Sequence, residues 1–265
     1  MKAIAKFMLV FIAIFASGCA IFRHQVSGSG AIEEREHLYS GGVYELKIEI
    51  NTGDTPVEIA FFDGASPSLK LITDDNILKE IAVKENGREI KVSGDKKTFY
   101  DATEFRVEIY GMTFSKLTLY GGFHIEPTEA GFTEDFVFVV HGGLSGACDF
   151  GAVTGELDIR FKGGVDLKAE NVRATKLKVK SEGAVDLEME GAAGNFYCQG
   201  EGSVNINAPD LRCQDISLNL KGAVNVVVYA EETLEIIAEG TGVIKYRGQP
   251  DITHGTKGAF SITPY

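Results

Sequence analysis

The sequence predicts an all-β fold: a single-stranded right-handed parallel β-helix, or β-solenoid, with about 20 residues per turn. A five-residue motif led by glycine returns along the chain at intervals of 20, 19, 20 and 20 residues. Its copies are Gly163–Leu167, Gly183–Leu187, Gly202–Ile206, Gly222–Val226 and a looser Gly242–Tyr246. A fixed period of this length is typical of solenoids, in which each repeat forms one turn.

A second observation is the strict alternation of apolar and polar residues before each motif. Leu157, Ile159 and Phe161 alternate with charged residues, and Leu177 and Val179 alternate with lysines. This alternation predicts strands with one buried face. Twenty extended residues would span roughly 66 Å, so each repeat must bend at corners, which glycine permits. An antiparallel sandwich is the alternative, but it gives no reason for one motif to recur at one interval.

The first 19 residues predict a lipoprotein signal peptide. Lys2 and Lys6 precede an apolar run, Phe7–Phe15, that is too short to span a bilayer as a helix. The run ends in Ala16–Cys19, which resembles a bacterial lipobox. We therefore expect Cys19 to be lipidated and to anchor the mature chain in a membrane, while a plain secretory signal is the alternative.

The residues after Cys19 bear on location. Ala20 follows, and no acidic run comes next. In bacterial lipoprotein sorting this pattern favours the outer membrane, so we expect an exported outer-membrane or periplasmic lipoprotein; the leaflet that it faces stays open. The net charge of −12 repels phosphate backbones and makes nucleic acid an unsuitable partner.

The remaining chain predicts a tether over residues 20–37 and one β-solenoid domain over residues 38–265. Its turns are less regular to about residue 114 and regular over about 115–246, and residues 247–265 form a C-terminal cap. Predicted elements before residue 126 are strands at Tyr44–Ile50, Val57–Phe61, Leu69–Ile72 and Phe105–Ile109, a helical turn within Asp74–Ile81, a tight turn at Asn86–Gly87, and a faint motif at Gly121–Ile125. Another faint motif is Gly146–Phe150.

Together with Gly240–Pro250, the order of these elements resembles the putative auto-transporter adhesin, head GIN domain family, over about residues 38–262. The resemblance implies a β-helix like that of pectin lyases, an adhesion or cell-surface role, and self-association as trimers. Members have no established catalytic residues, so the resemblance carries none over to this chain.

The candidate binding residues are Asp158, Lys178 and Tyr197, which are predicted to lie on one exposed sheet. Asp158 and Lys178 are expected to form an ion pair between turns. A rigid face of this kind suits a glycan or protein ligand. Tyr110, Tyr120 and Phe123 are further candidate aromatic platforms. We predict no catalytic residues, metal or cofactor; a self-assembling structural lipoprotein and a polysaccharide-acting enzyme are the alternative functions.

Two further features concern the interior and the outer surface of the repeats. Cys148 and Cys198 are predicted to be buried, and whether Cys198 bridges Cys213 stays open. One outward column is predicted to contain Asp149, Asp166, Asp186, Asn205, Asn225 and Lys245. Its acids could be read as calcium ligands, but neighbouring exposed carboxylates repel only weakly in water. We therefore predict no calcium site there.

Overall fold

The computed structural model describes residues 24–126 and 131–265, and this part of the chain is almost entirely β-strand. The signal peptide and Cys19 lie outside the described residues. In chain order the elements are β1 (His24–Ser27), β2 (Ile32–Leu38), β3 (Val43–Ile50), β4 (Val57–Phe62), β5 (Ser68–Asp74), α1 (Asp75–Leu78), β6 (Ala82–Asn86), β7 (Glu89–Ser93), β8 (Thr98–Asp101), β9 (Phe105–Tyr110), β10 (Thr113–Ile125), β11 (Phe132–Asp149), β12 (Glu156–Val172), β13 (Lys176–Arg247) and β14 (Asp251–Pro264).

A large sheet joins most of these strands, in the order β14-β13-β12-β11-β10-β4-β9-β5-β2. From β10 to β14 every pair between successive strands is parallel, and residues pair with the equivalent residues of the next repeat except at register shifts between Phe114 and Lys116 and between Ala169 and Val172. β13 continues through several glycine motifs as one run of 72 residues. The all-β class is therefore confirmed, with parallel pairing between repeats as the sequence predicts.

One column of glycines marks the same corner in successive repeats, and we call it the glycine column. Each member has a φ between 115° and 137°, where residues other than glycine are strained. A Cβ on any of them would overlap the carbonyl oxygen of the residue stacked before it. The column comprises Gly121, Gly142, Gly163, Gly183, Gly202, Gly222, Gly240 and Gly258.

The glycine column shows that two predicted motif copies were placed out of register. Gly240, and not Gly242, stacks on Gly222, while Gly242 lies against Val224. At the other end Gly142, and not Gly146, pairs with Gly163. The physical reason is that the repeat shortens to 18 residues at one end, as between Gly240 and Gly258, and lengthens to 21 at the other. A constant period of 20 cannot follow both changes.

The predicted inward positions of the valines in the glycine motif are confirmed. Val165, Val185, Val204 and Val224 occupy equivalent positions and are at most 5% exposed. The intervening residues face solvent, as Asp186 does. Stacked repeats thus bury one continuous apolar interior, which a single repeat could not do.

The first part of the described chain is less regular and includes antiparallel pairs. β2 pairs with β5 along its whole length, and β5 pairs with β9. The residues assigned from sequence to the tether therefore include a strand of the sheet. The predicted Asn86–Gly87 turn joins β6 to β7 in an antiparallel hairpin. No helix within residues 24–126 and 131–265 is both long and apolar enough to cross a membrane.

The predicted helical turn is α1, and the buried carboxylate of Asp74 precedes it. Asp74 makes no side-chain cap to the helix. It accepts hydrogen bonds from the Gly30 N–H at 2.7 Å, and from the Thr103 N–H and hydroxyl at 2.8 and 2.9 Å. Burial would raise the pKa of Asp74, but the bonds from Thr103 and Gly30 lower it overall. Asp74 thereby fastens the β1–β2 connection to the chain before β9.

Candidate functional site

The three candidate binding residues line one groove on the exposed sheet formed by β12 and β13. Asp158 pairs in register with Lys178, and Tyr197 lies in the following repeat. The groove has a volume of about 550 Å³. Its polar and aromatic lining is Asp158, Arg160, Lys176, Lys178, Lys180, Tyr197, Gln199, Ser217 and Asn219. The structure therefore brings Asp158, Lys178 and Tyr197 together, and their role in binding stays a prediction.

The ion pairs in the groove differ from the predicted pair of Asp158 with Lys178. Arg160, two residues along the same strand, donates two hydrogen bonds to Asp158, from Nε at 3.0 Å and Nη2 at 2.6 Å. Lys178 instead donates to Glu156, at 2.5 Å. The planar guanidinium matches both carboxylate oxygens of Asp158, which a lysine cannot do.

These hydrogen bonds favour the charged forms of Arg160 and Lys178. The hydrogen bond with Asp158 raises the pKa of Arg160, and the hydrogen bond with Glu156 raises the pKa of Lys178. Asp158 itself is only 6% exposed. The buried carboxylate thus acts mainly as a support for Arg160, whose guanidinium lies at the surface, and not as an exposed binding group.

Sequence reasoning did not single out Lys180 as a binding residue. It is exposed in the groove and forms no ion pair with any residue that the structure describes. The equivalent positions of the next two repeats hold Gln199 and Asn219, whose side chains also line the groove. An unpaired cation next to two amides is available to a ligand. The signal that could have found Lys180 is its two-residue spacing from Lys178, which puts both side chains on one face.

Tyr197 is the aromatic platform of the groove. Its side chain is 44% exposed, and the Lys176 ammonium lies 5.6 Å from the ring centre. The other predicted platforms are less available. Phe123 is buried, Tyr110 stacks on Phe62, and Tyr120 stacks on His141 with ring centres 4.6 Å apart. Phe123 was predicted wrongly because its motif position faces inward, like that of Val165.

The four central residues of the predicted outward column are in register, but Asp149 and Lys245, its two ends, do not belong to it. Asp166 pairs with Asp186, Asn205 donates to Asp186 at 2.7 Å, and Asn225 donates to Asn205 at 2.7 Å. Ser145, and not Asp149, is in register with Asp166. Lys245 lies outside the column because Gly240, and not Gly242, stacks on Gly222, which shifts the register of this repeat by two residues.

The three cysteines within the described residues, Cys148, Cys198 and Cys213, are free thiols in the apolar interior. Burial raises the pKa of Cys198 and of Cys213 to about 12, and it also raises the pKa of Cys148. Such thiols are mostly protonated and inaccessible at neutral pH. Cys148 is buried as predicted, but it pairs with Ala169, while Leu144 takes the place opposite Val165.

The described part of the chain contains no group of three or more His, Cys, Asp or Glu residues that could hold a metal ion. The groove carries four cationic side chains; Arg160 pairs with the buried Asp158, and Lys176 and Lys178 pair with Glu156 beside the groove. It is therefore a positively charged, partly aromatic surface on a protein with a net charge of −12. Chemically, such a surface can hold an anionic group beside a flat apolar one.

Comparison with known proteins identifies the family. Residues 46–250 match the family model described as putative auto-transporter adhesin, head GIN domain. The chain belongs to this head GIN domain family. The resemblance seen in the sequence is thereby confirmed. No curated protein shows significant similarity to the chain.

Solved structures with low sequence identity share the fold of this head GIN domain protein. A putative adhesin from Parabacteroides distasonis has a TM-score of 0.73 at 15% identity, over 91% of this chain and 100% of its own. A putative lipid binding protein from the same species has a TM-score of 0.68 at 19% identity, over 91% and 99%. A putative adhesin from Bacteroides fragilis has a TM-score of 0.58 at 21% identity, over 91% and 100%.

Proposed function

We propose that the chain is an exported lipoprotein whose domain acts as a non-catalytic binding or adhesion module. In this proposal the domain is a right-handed parallel β-helix, and lipidated Cys19 holds it at the outer membrane. The parallel pairing in register and the column of corner glycines support the β-helix. The family description and the structural neighbours named as adhesins support the binding role.

The observation that carries the proposal is the groove around Tyr197. Its cations can pair with carboxylates, its amides can bind hydroxyl groups, and the Tyr197 ring offers a flat apolar face. One ligand class presents carboxylates, hydroxyl groups and a flat apolar face together: a glycan that bears uronate-type carboxylates. An acidic protein segment is the alternative ligand.

Calorimetric titration tests this assignment. The probes are a uronate oligosaccharide and its carboxyl-reduced counterpart, added to the full chain carrying Cys19→Ala. We expect binding of the acidic probe only, weakened by salt, and a loss of affinity of roughly tenfold or more in Lys180→Glu and in Tyr197→Ala. Lys221→Glu and Tyr229→Ala are the matched controls, because Tyr229 also lies beside a cation, Arg212, at 5.5 Å. Equal binding of both probes, or equal losses in the controls, would contradict the groove assignment.

The anchoring part of the proposal has its own test. Cys19→Ala should move the protein from the membrane fraction to the soluble fraction, because the acyl chains on a bacterial lipoprotein cysteine hold it firmly in the bilayer. Immunoblots of fractionated cells measure this. Ser17→Ala is the control, since it keeps the cysteine, and it should leave the protein in the membrane fraction. Unchanged fractionation of Cys19→Ala would contradict the lipoprotein assignment.

A catalytic role for the groove predicts a different result. A polysaccharide lyase or hydrolase would shorten a uronate polymer, whereas a binding module leaves its length unchanged. We expect no shortening when the polymer is incubated with the chain and then sized by chromatography. The self-assembling role is favoured by one specific feature: β14 is an edge strand of the large sheet, and among the described strands it pairs with β13 alone.

A further inference from the structure

The two ends of the large sheet are built differently. β2 is one edge; it has seven residues, of which five are titratable: Glu33, Glu34, Arg35, Glu36 and His37. β6 is another edge, with five residues that include Lys84 and Glu85. Short, charged edges of this kind resist pairing with another chain. The N-terminal edges are therefore protected.

β14 lacks this protection. It has 14 residues, pairs with β13 alone among the strands that the structure describes, and carries just Asp251, His254 and Lys257 as titratable residues. Pro264 has no N–H and interrupts the last part of the edge. The segment before the corner at Gly258, residues 251–257, remains open and regular. We call this segment the open edge.

The inward side of the open edge also leaves the apolar interior uncovered. Ile252 is in register with Leu234, His254 with Ile236, and Thr256 with Ala238. Leu234 and Ile236 are fully buried, whereas Ile252 is 36% exposed. In a stack of repeats the last turn needs a cap of some kind. Residues 247–265, the predicted C-terminal cap, contain β14, and residues 251–259 within it are themselves exposed.

We propose that a second copy of this chain covers the open edge, by antiparallel pairing of the two edges around a two-fold axis at His254. Residue 251 then lies opposite residue 257 of the partner, and residue 253 lies opposite residue 255. Asp251 therefore faces the partner's Lys257, and Lys257 faces the partner's Asp251. Both side chains lie on the outward face, as their pairing with Thr233 and Glu239 shows.

Charge and face together select this arrangement. Sliding one strand along the other by one residue would turn the apolar side of one strand toward solvent. Sliding it by two residues puts Asp251 opposite Gly255 or Ala259 of the partner and loses both ion pairs. Opposite charges facing each other across antiparallel strands stabilise the pair, and like charges destabilise it. The open edge is thus complementary to itself, as a two-fold interface requires.

Sedimentation equilibrium of the full chain carrying Cys19→Ala tests the proposal. We expect a dimer. Adding Lys257→Asp should weaken the dimer roughly tenfold or more, since it replaces two attractive pairs by two repulsive ones. Adding Asp251→Lys as well should restore it. Lys221→Asp is the matched control, because Lys221 and Lys257 each bind a glutamate of the preceding repeat, at 3.4 and 2.7 Å.

Several results would overturn the proposal: a monomer at all concentrations, a dimer insensitive to Lys257→Asp, or a double variant that stays monomeric. A trimer would also overturn it and would agree with the assembly that the family resemblance implies. Should Lys257→Asp lower the melting temperature, His254→Cys gives an independent readout. It places one thiol against its own copy at the two-fold axis, so oxidation should give a covalent dimer on a non-reducing gel. Its absence would contradict the pairing. None of these results depends on what the groove binds.

Discussion

At the scale of single residues, the corner glycines decide whether successive repeats can stack. Gly183 has a φ of 125°, and its α-carbon faces the carbonyl oxygen of Gly163. The neighbouring repeat also contains a glycine outside the column, Gly164, which has open space where a Cβ would be. The first and second positions of the motif therefore make different demands on the backbone.

This difference predicts opposite results for the same substitution. Gly183→Ala combines an unfavourable φ with a collision against backbone, so we expect a loss of about 2 kcal/mol or more in the free energy of unfolding. Gly164→Ala should change it by less than about 0.5 kcal/mol. Urea unfolding followed by circular dichroism measures both. Equal changes in the two variants would show that the corner is not where the structure places it.

At the scale of strands, side chains in neighbouring repeats make ion pairs and hydrogen bonds along the outer columns. Glu49 on β3 binds Lys47 at 2.7 Å and Lys91 on β7 at 2.6 Å, with 12% of its side chain exposed. Burial would raise the pKa of Glu49, but the hydrogen bonds from Lys47 and Lys91 lower it to about 2. Glu49 is therefore better shielded from solvent than the ion pair of Lys162 with Glu182, whose side chains are 65% and 63% exposed.

The lowered pKa of Glu49 predicts a pH dependence. Its contribution to stability is present above the ordinary pKa of 4.5 and is lost as the pH falls toward 2. The stability difference between wild type and Glu49→Gln should therefore shrink as the pH falls through this range. Glu182→Gln is the control and should differ little from wild type at any pH. Denaturant melts at several pH values measure this; a constant Glu49→Gln difference would contradict it.

The outward column predicts the response to calcium. Asp166 and Asp186 are adjacent, but the next two members are amides that bond along the column. We expect thermal midpoints in EDTA and in millimolar calcium to agree within a few degrees. A rise well beyond about 5 °C, abolished by Asp166→Asn with Asp186→Asn, would instead establish a calcium site.

At the scale of the whole molecule, the sequence predicts the all-β class, the repeat and the inward valines, because these depend on local alternation and on one glycine per corner. It misplaces Gly242 and Asp149, because repeat length changes by up to three residues and only hydrogen bonding between repeats shows where. The positions of Asp158, Lys178 and Tyr197 follow from the period. The pairing of Asp158 with Arg160 does not follow from the period, because an ion pair within one strand competes with an ion pair between neighbouring strands.

Equivalent residues of successive repeats lie side by side on parallel strands. Asp166 and Asp186 are paired in this way, so their Cα atoms lie about 4.8 Å apart, within the range of a disulfide. Oxidising the chain that carries Asp166→Cys with Asp186→Cys, followed by peptide mapping, tests the pairing directly. We predict a nearly complete intramolecular disulfide there, and little or none when Glu188→Cys replaces Asp186→Cys. No linkage between positions 166 and 186, or equal linkage in both variants, would contradict the parallel stack.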